Sequence, residues 1–175
     1  MRTGPTNMPV SVYFFLMIQL FFVAYNDFKN KKISNVWPII NIALYFAVVF
    51  FFPTQYKINF ETFIFPLAFF FVGIILFMMK IMGAGDSKFL LSFYLLIPLE
   101  MHEQAFIFLA YSTVVVGLSL LFTNIFKNLD TIIVALKTKN LILIKGVFGQ
   151  RFSYAPVILV SWLWFGWTIK EKIYF

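Results

Sequence analysis

Six mostly apolar stretches follow one another along the chain, near 9–26, 34–52, 60–80, 87–99, 103–123 and 153–170, with short polar segments between them. Runs of roughly this length suit α-helices crossing a hydrocarbon core of about 30 Å. The pattern predicts an all-α polytopic membrane protein of six transmembrane helices, and residues 1–175 are expected to form a single membrane-embedded domain. The first stretch, Pro9 to Tyr25, has only Arg2 before it and no small-residue cleavage site after it, so it is expected to stay as a helix. The fourth is short. From Asp86 to Leu99 it rises only about 21 Å, which leaves two explanations open: a recessed Asp86 lined by protein, or a locally thinned bilayer. Between the fifth and sixth stretches Ile125, Phe126, Leu129, Ile132, Ile133 and Leu136 recur at helical spacing, with Lys127, Asp130 and Lys137 at other positions. This predicts an amphipathic helix lying on the membrane surface.

Composition supports the same class, since 62% of residues are hydrophobic, 22% aromatic and only 12% charged. A water-soluble fold would lack the polar surface to cover itself. The absence of cysteine excludes disulfides, zinc-thiolate sites and cysteine nucleophiles, and the single histidine, His102, builds no metal site alone. No metal or cofactor is expected. His102 is expected to be an ordinary loop residue on the side away from the site. The net charge of +7 comes from lysines spread over several short loops, so the positive-inside rule accounts for it without nucleic acid. Lys29, Lys31 and Lys32 follow the first stretch, Lys80 and Lys88 bound the loop after the third, and Lys127, Lys137, Lys139, Lys145 and Arg151 follow the fifth. The alternate loops carry one lysine, or two glutamates. Lysine-rich loops are thus expected in the cytoplasm, with the N-terminus and C-terminus outside; Lys170 and Lys172 run against the rule.

On this topology two of the three aspartates, Asp27 and Asp86, reach the cytoplasmic face together. Each has a plain alternative: Asp27 as an interfacial residue ending a helix, Asp86 as a helix N-cap favoured by the dipole. The third, Asp130, reads as solvated. Gly83 and Gly85, before Asp86, permit left-handed backbone angles or the close approach of another chain segment. Two carboxylates a few ångströms apart do not both ionise readily, and one charged with one protonated is the arrangement an aspartic protease needs. The other reading of intramembrane carboxylates is a small cation or proton-coupled transporter, for which the glycines would break a helix. No inverted repeat is visible to support it.

Three patches resemble the type IV prepilin peptidases, membrane aspartic proteases of the Gly-x-Gly-Asp class. Asp27 is followed six residues later by Ile33-Ser34-Asn35, close to the family's Asp-x5-Ile-Pro-Asn with Ser34 in place of proline. Gly83-Ala84-Gly85-Asp86-Ser87-Lys88 fits Gly-x-Gly-Asp-x-Lys without departure, and Tyr154-Ala155-Pro156 is similar to a Pro-Tyr-Ala-Pro segment, with Ser153 in place of the first proline. The presenilin type shares the glycine-aspartate element but fits the surroundings of Asp27 less well. The resemblance implies that Asp27 and Asp86 are catalytic, supported by Gly83, Gly85, Lys88, Asn35, Tyr154 and Pro156. It implies prepilin or pseudopilin substrates, each with a basic leader and an apolar helix, cut at the cytoplasmic face of a bacterial inner membrane. The chain begins almost at its first catalytic span and lacks cysteines, so it resembles the short, peptidase-only members of tight-adherence pilus systems, with no N-terminal methyltransferase-type region expected. For Lys88, tuning of Asp86, contact with an acidic group of the substrate and simple snorkelling to the interface are all open.

Overall fold

The computed structural model of the protein describes residues 8–78, 82–138, 153–170 and 173–174. Each apolar stretch lies on a helix: α1 (Val10–Asn30), α2 (Val36–Phe51), α3 (Phe60–Met78), α4 (Ala84–Leu95), α5 (His102–Lys127) and, after the short α6 (Leu129–Lys137), α7 (Ala155–Ile169). The one sheet among the described residues is a two-residue parallel bridge, β1 (Met8–Pro9) with β2 (Ile173–Tyr174). It places the start of α1 and the segment after α7 at the same end of the bundle. Asp27 lies seventeen residues along α1, about 26 Å from that end at the helical rise.

Helices α1 and α3 and the continuous stretch Leu99–Lys127 are long and apolar enough to cross a membrane, and α2 and α7 are shorter apolar helices. Their outward faces carry Phe14, Ile18 and Phe22 on α1, Phe46 and Phe50 on α2, and Phe71 and Ile75 on α3, all exposed. Apolar surface on this scale calls for a hydrocarbon surrounding, and the fold is that of a helical membrane protein. Lys80, Lys139, Lys145, Arg151 and Lys172, which enter the charge argument, lie outside the described residues.

Helix α7 packs between α1 and α5, and α4 packs between α2 and α3. The two groups meet at Trp162 of α7. Its ring stacks on Tyr13 of α1 at 5.1 Å and receives the edge of Phe93 of α4 at 5.0 Å. Small residues bring backbones close, as in other membrane bundles. Gly73 of α3 lies against the Ser87 side chain, and Gly166 of α7 against the Tyr13 hydroxyl.

Two sequence expectations need correction. The amphipathic helix does not begin at Ile125: α5 continues to Lys127, so Ile125 and Phe126 belong to its last turn, and Asn128 breaks the chain before α6. Asp130 is exposed, as expected, and the side chain of Leu136 lies outside the described part. His102 is no ordinary loop residue. It is the first residue of α5 and is fully buried, and its Nε2 donates to the carbonyls of Tyr94 and Ile97, each at 2.9 Å. The physical reason lies in the shortness of α4. Twelve residues rise about 18 Å, so this helix ends inside the bundle, where its last carbonyls have no water to bond. His102 takes two of them, and the Tyr56 hydroxyl donates to a third, on Leu96, at 2.9 Å.

His102→Leu leaves the buried Ile97 carbonyl without its donor, at a cost of about 1–3 kcal/mol, and takes one of several donors from the Tyr94 carbonyl. The expected result is a clear fall in thermal stability in detergent, with activity per folded molecule retained because the residue lies at the far end of α4 from Asp86. A second expectation concerns α2, whose ends carry the exposed Ser34 and Thr54. Single cysteines at these positions in the cysteine-free chain should differ toward an impermeant thiol reagent on intact cells, with Thr54→Cys labelled and Ser34→Cys shielded. Labelling of both would remove α2 as a crossing.

Candidate active site

Asp27 sits in the last turn of α1, which runs four residues past the hydropathy boundary at residue 26. It ends a buried stripe formed by Leu16, Gln19, Leu20, Val23 and Ala24. Only 3% of it is exposed, and its surroundings explain how an acid is tolerated there. The carboxylate faces the start of α7. The Ala155 amide donates to its Oδ2 at 3.2 Å, and the Tyr154 amide is a second backbone donor. A helix N-terminus presents unpaired amides and the positive end of the dipole, so it is a ready site for a negative group. Pro156 fits this arrangement because it occupies the second helical position, where its missing N–H costs nothing. Ser153, the serine found in place of the family proline, donates from its hydroxyl to the Asp27 carbonyl at 3.2 Å.

Asp86 is the third residue of α4 and is 5% exposed. Its Oδ2 accepts the Gly83 amide at 2.8 Å, which makes it the N3 partner of a capping box. The N-cap of α4 is Gly83, so Asp86 caps the helix from the third position and not as the N-cap, and it does so through one oxygen only. Oδ1 is buried and accepts no hydrogen bond from the described residues. Asp27 and Asp86 lie within electrostatic range of each other, and Tyr154 within range of Asp86.

Close approach of the backbone brings the two acids together. Among the described residues no glycine has a positive φ, and Gly83 is extended at φ −81° and ψ 148°, so the expectation of left-handed angles is not met. The alternative use of glycine is the one present. A Cβ on Gly85 would lie 2.8 Å from the Ile33 carbonyl oxygen, and one on Gly83 would lie 2.9 Å from Asp86 Oδ2. The chain reaches Ile33 through a tight exit from α1, where Lys31 adopts φ 52° and its amide donates to the Asp27 carbonyl at 2.8 Å. The first two sequence patches are thus in direct contact, and the third, Tyr154-Ala155-Pro156, holds Asp27.

Other candidate residues stand further off. Asn35 is the N-cap of α2, but its side chain is exposed and makes no capping bond; Lys88 is exposed on α4. The Tyr154 hydroxyl shares a hydrogen bond with Thr113 at 2.9 Å. Tyr154 and Met82 also border an apolar cavity of about 330 Å³ that continues past Gly73, Leu90, Phe69 and Phe106. Sequence reasoning missed a buried polar set, Gln19, Asn41 and Ser92. The available signal was a carboxamide inside each of two apolar runs, which is costly in a membrane and therefore informative.

A bundle of apolar helices that buries two carboxylates at one end, one against a helix N-terminus and one within the first turn of another helix, defines a polytopic membrane protein with a paired-acid site. The chain belongs to the Type IV leader peptidase family, whose family model matches residues 14–125, and by that membership it is a protease. The match contains Asp27 and Asp86 and ends before Tyr154. No curated protein and no solved structure matches the chain significantly.

The contact of Gly85 with Ile33 generates a specific expectation. Gly85→Ala should lower peptidase activity by roughly a hundredfold, since a displacement of about 1 Å at a catalytic group has an effect of that size. Ala84→Val, at an exposed neighbour, should leave activity within a few-fold of wild type. Proteolytic assays at matched membrane levels distinguish the two, and equal tolerance would show that the contact does not place Asp86.

Proposed function

We propose that this protein is an aspartic endopeptidase of the Gly-x-Gly-Asp type, with Asp27 and Asp86 as its catalytic pair. In this reading it removes the basic leader from prepilin-like or pseudopilin substrates at the cytoplasmic face of a bacterial inner membrane. The observation that carries the reading is the burial of both acids at one end of the bundle, with segments more than a hundred residues apart in sequence gathered around Asp27. Family membership supports the protease class and gives no support to the transporter reading of the same aspartates.

Six crossings with both termini outside fit this assignment. The described chain ends lie together, as an even number of crossings requires, and the aspartate end carries the exposed Lys29, Lys31, Lys32 and Lys88. An extended leader junction would lie across the two acids, and the apolar cavity beside Tyr154 and Met82 would take side chains of the apolar segment that follows.

The chemistry follows from how the two carboxyl groups are held. Amides at the start of α7 hold Asp27 as the charged partner, while Asp86 offers the unbonded Oδ1 as a proton donor. Asp27 takes a proton from water as its oxygen bonds to the scissile carbonyl carbon, and Asp86 gives its proton to the carbonyl oxygen. In the resulting diol, Asp86 recovers a proton from a hydroxyl as the C–N bond breaks. Asp27 delivers its proton to the leaving amine, and both groups return to their starting states. No cofactor enters.

Asp27→Asn and Asp86→Asn should each lower cleavage by at least about a hundredfold, the lower range for loss of an acid–base group, while membrane insertion is kept. Co-expression with a prepilin in a strain lacking other prepilin peptidases, followed by a gel for leader loss, measures this. Processing by either variant at a rate near wild type would end the assignment.

A further inference from the structure

Gln19, Asn41 and Ser92 form a hydrogen-bonded line across three helices in the interior of the bundle. Gln19 Nε2 donates to Asn41 Oδ1 at 2.6 Å, Asn41 Nδ2 donates to Ser92 Oγ at 3.2 Å, and Ser92 Oγ donates to the Phe89 carbonyl at 2.9 Å. Gln19 is 2% exposed, and Asn41 and Ser92 are fully buried. The line joins α1 to α4 through α2, and α1 and α4 are the helices that carry the two aspartates.

Its position along those helices matters. Gln19 lies eight residues before Asp27 on the same buried stripe, about 12 Å away along α1, and Ser92 lies six residues after Asp86, about 9 Å along α4. Helix α1 runs toward the aspartate end and α4 runs away from it, so both distances are measured in the same direction. The polar line is therefore a second cross-connection behind the first, which is the contact of Gly85 with Ile33.

Stability alone gives little reason for these side chains. Interhelical hydrogen bonds inside membrane bundles contribute modestly, and well-packed apolar residues of similar volume often serve as well. Directionality is what an apolar trio lacks. If α1 rotated or slid by one residue against α2, Gln19 would lose Asn41, and Gln19 Nε2 and Asn41 Oδ1 would join Gln19 Oε1 as buried polar atoms with no partner among the described residues.

We infer that Gln19, Asn41 and Ser92 are positioning residues that set the rotation and axial register of α1 against α4, and so the approach of Asp27 to Asp86. The inference rests on the catalytic reading of the two aspartates. The test uses the full-length protein purified in detergent with a prepilin-like peptide, and compares Gln19→Met, Ser92→Ala and the double variant. Each single variant is expected to lower kcat per folded molecule by ten- to a hundredfold, as about 1 Å of misplacement does, with KM within twofold; the melting temperature falls as well, because each variant leaves one polar atom of the buried Asn41 without its partner. Because both act through one line, the double variant is expected to fall no further than the worse single variant. Wild-type kcat in both single variants, a loss confined to KM, or losses that multiply in the double variant would each overturn the inference. Ser92→Ala is the milder variant and guards against misfolding of the other. If Asp27→Asn and Asp86→Asn are inactive while Gln19→Met keeps full kcat, the positioning inference alone fails; if the aspartate variants remain active, the catalytic reading fails first.

Discussion

Holding a carboxylate inside an apolar helix bundle is the constraint on which the aspartate end of this protein depends. An isolated buried charge costs several kcal/mol even after relaxation, so the surroundings must answer it with donors. Helix N-termini are the source at both positions. The amides that begin α7 face Asp27, and the amide of Gly83, just before α4, faces Asp86. Because α7 follows α1 by more than a hundred residues, the demand of Asp27 for donors dictates long-range topology: the end of α1 has to meet the start of α7. Gly85 lets the turn after α1 lie against α4, and the Ser153 hydroxyl ties the chain before α7 to the Asp27 backbone.

The same constraint shapes the opposite end of α4. A helix of twelve residues stops within the bundle, and its terminal carbonyls need partners as much as the aspartates do. His102 and Tyr56 provide them from other elements. Helix α4 is thus capped at both ends by protein and surrounded by α2 and α3, with Asp86, Ser87, Phe89, Leu90, Ser92, Phe93, Tyr94 and Leu95 all buried. A helix buried along most of its faces carries Asp86 on a rigid base.

Membership of the leader peptidase family and the geometry of the acids are separate observations on overlapping parts of the chain. The family match covers α1 to α5 and so contains both aspartates, but it does not reach the α7 N-terminus that holds one of them. That role for Tyr154 and Ala155 is visible only in three dimensions.

The positions of the helices and of the two acids were legible in the sequence. Apolar runs report the cost of exposing backbone to lipid, which is local, so all six stretches could be read from hydropathy with ends off by at most four residues. An acid at the edge of such a run is conspicuous for the same reason, which made Asp27 and Asp86 stand out before any fold was known. Tertiary structure decided what these groups touch. Glycine in Gly83-Ala84-Gly85 was equally compatible with left-handed angles and with close approach, and only the position of the Ile33 carbonyl selects the second. His102 looked like a loop residue because the carbonyls it bonds belong to a helix end whose burial depends on α2, α3 and α5 together. The polar line from Gln19 to Ser92 could not be read as a line, since its hydrogen bonds join residues 22 and 51 positions apart. Burial cost is written residue by residue along the chain, whereas the partner that offsets it is supplied by another helix, and only the packed bundle determines which one.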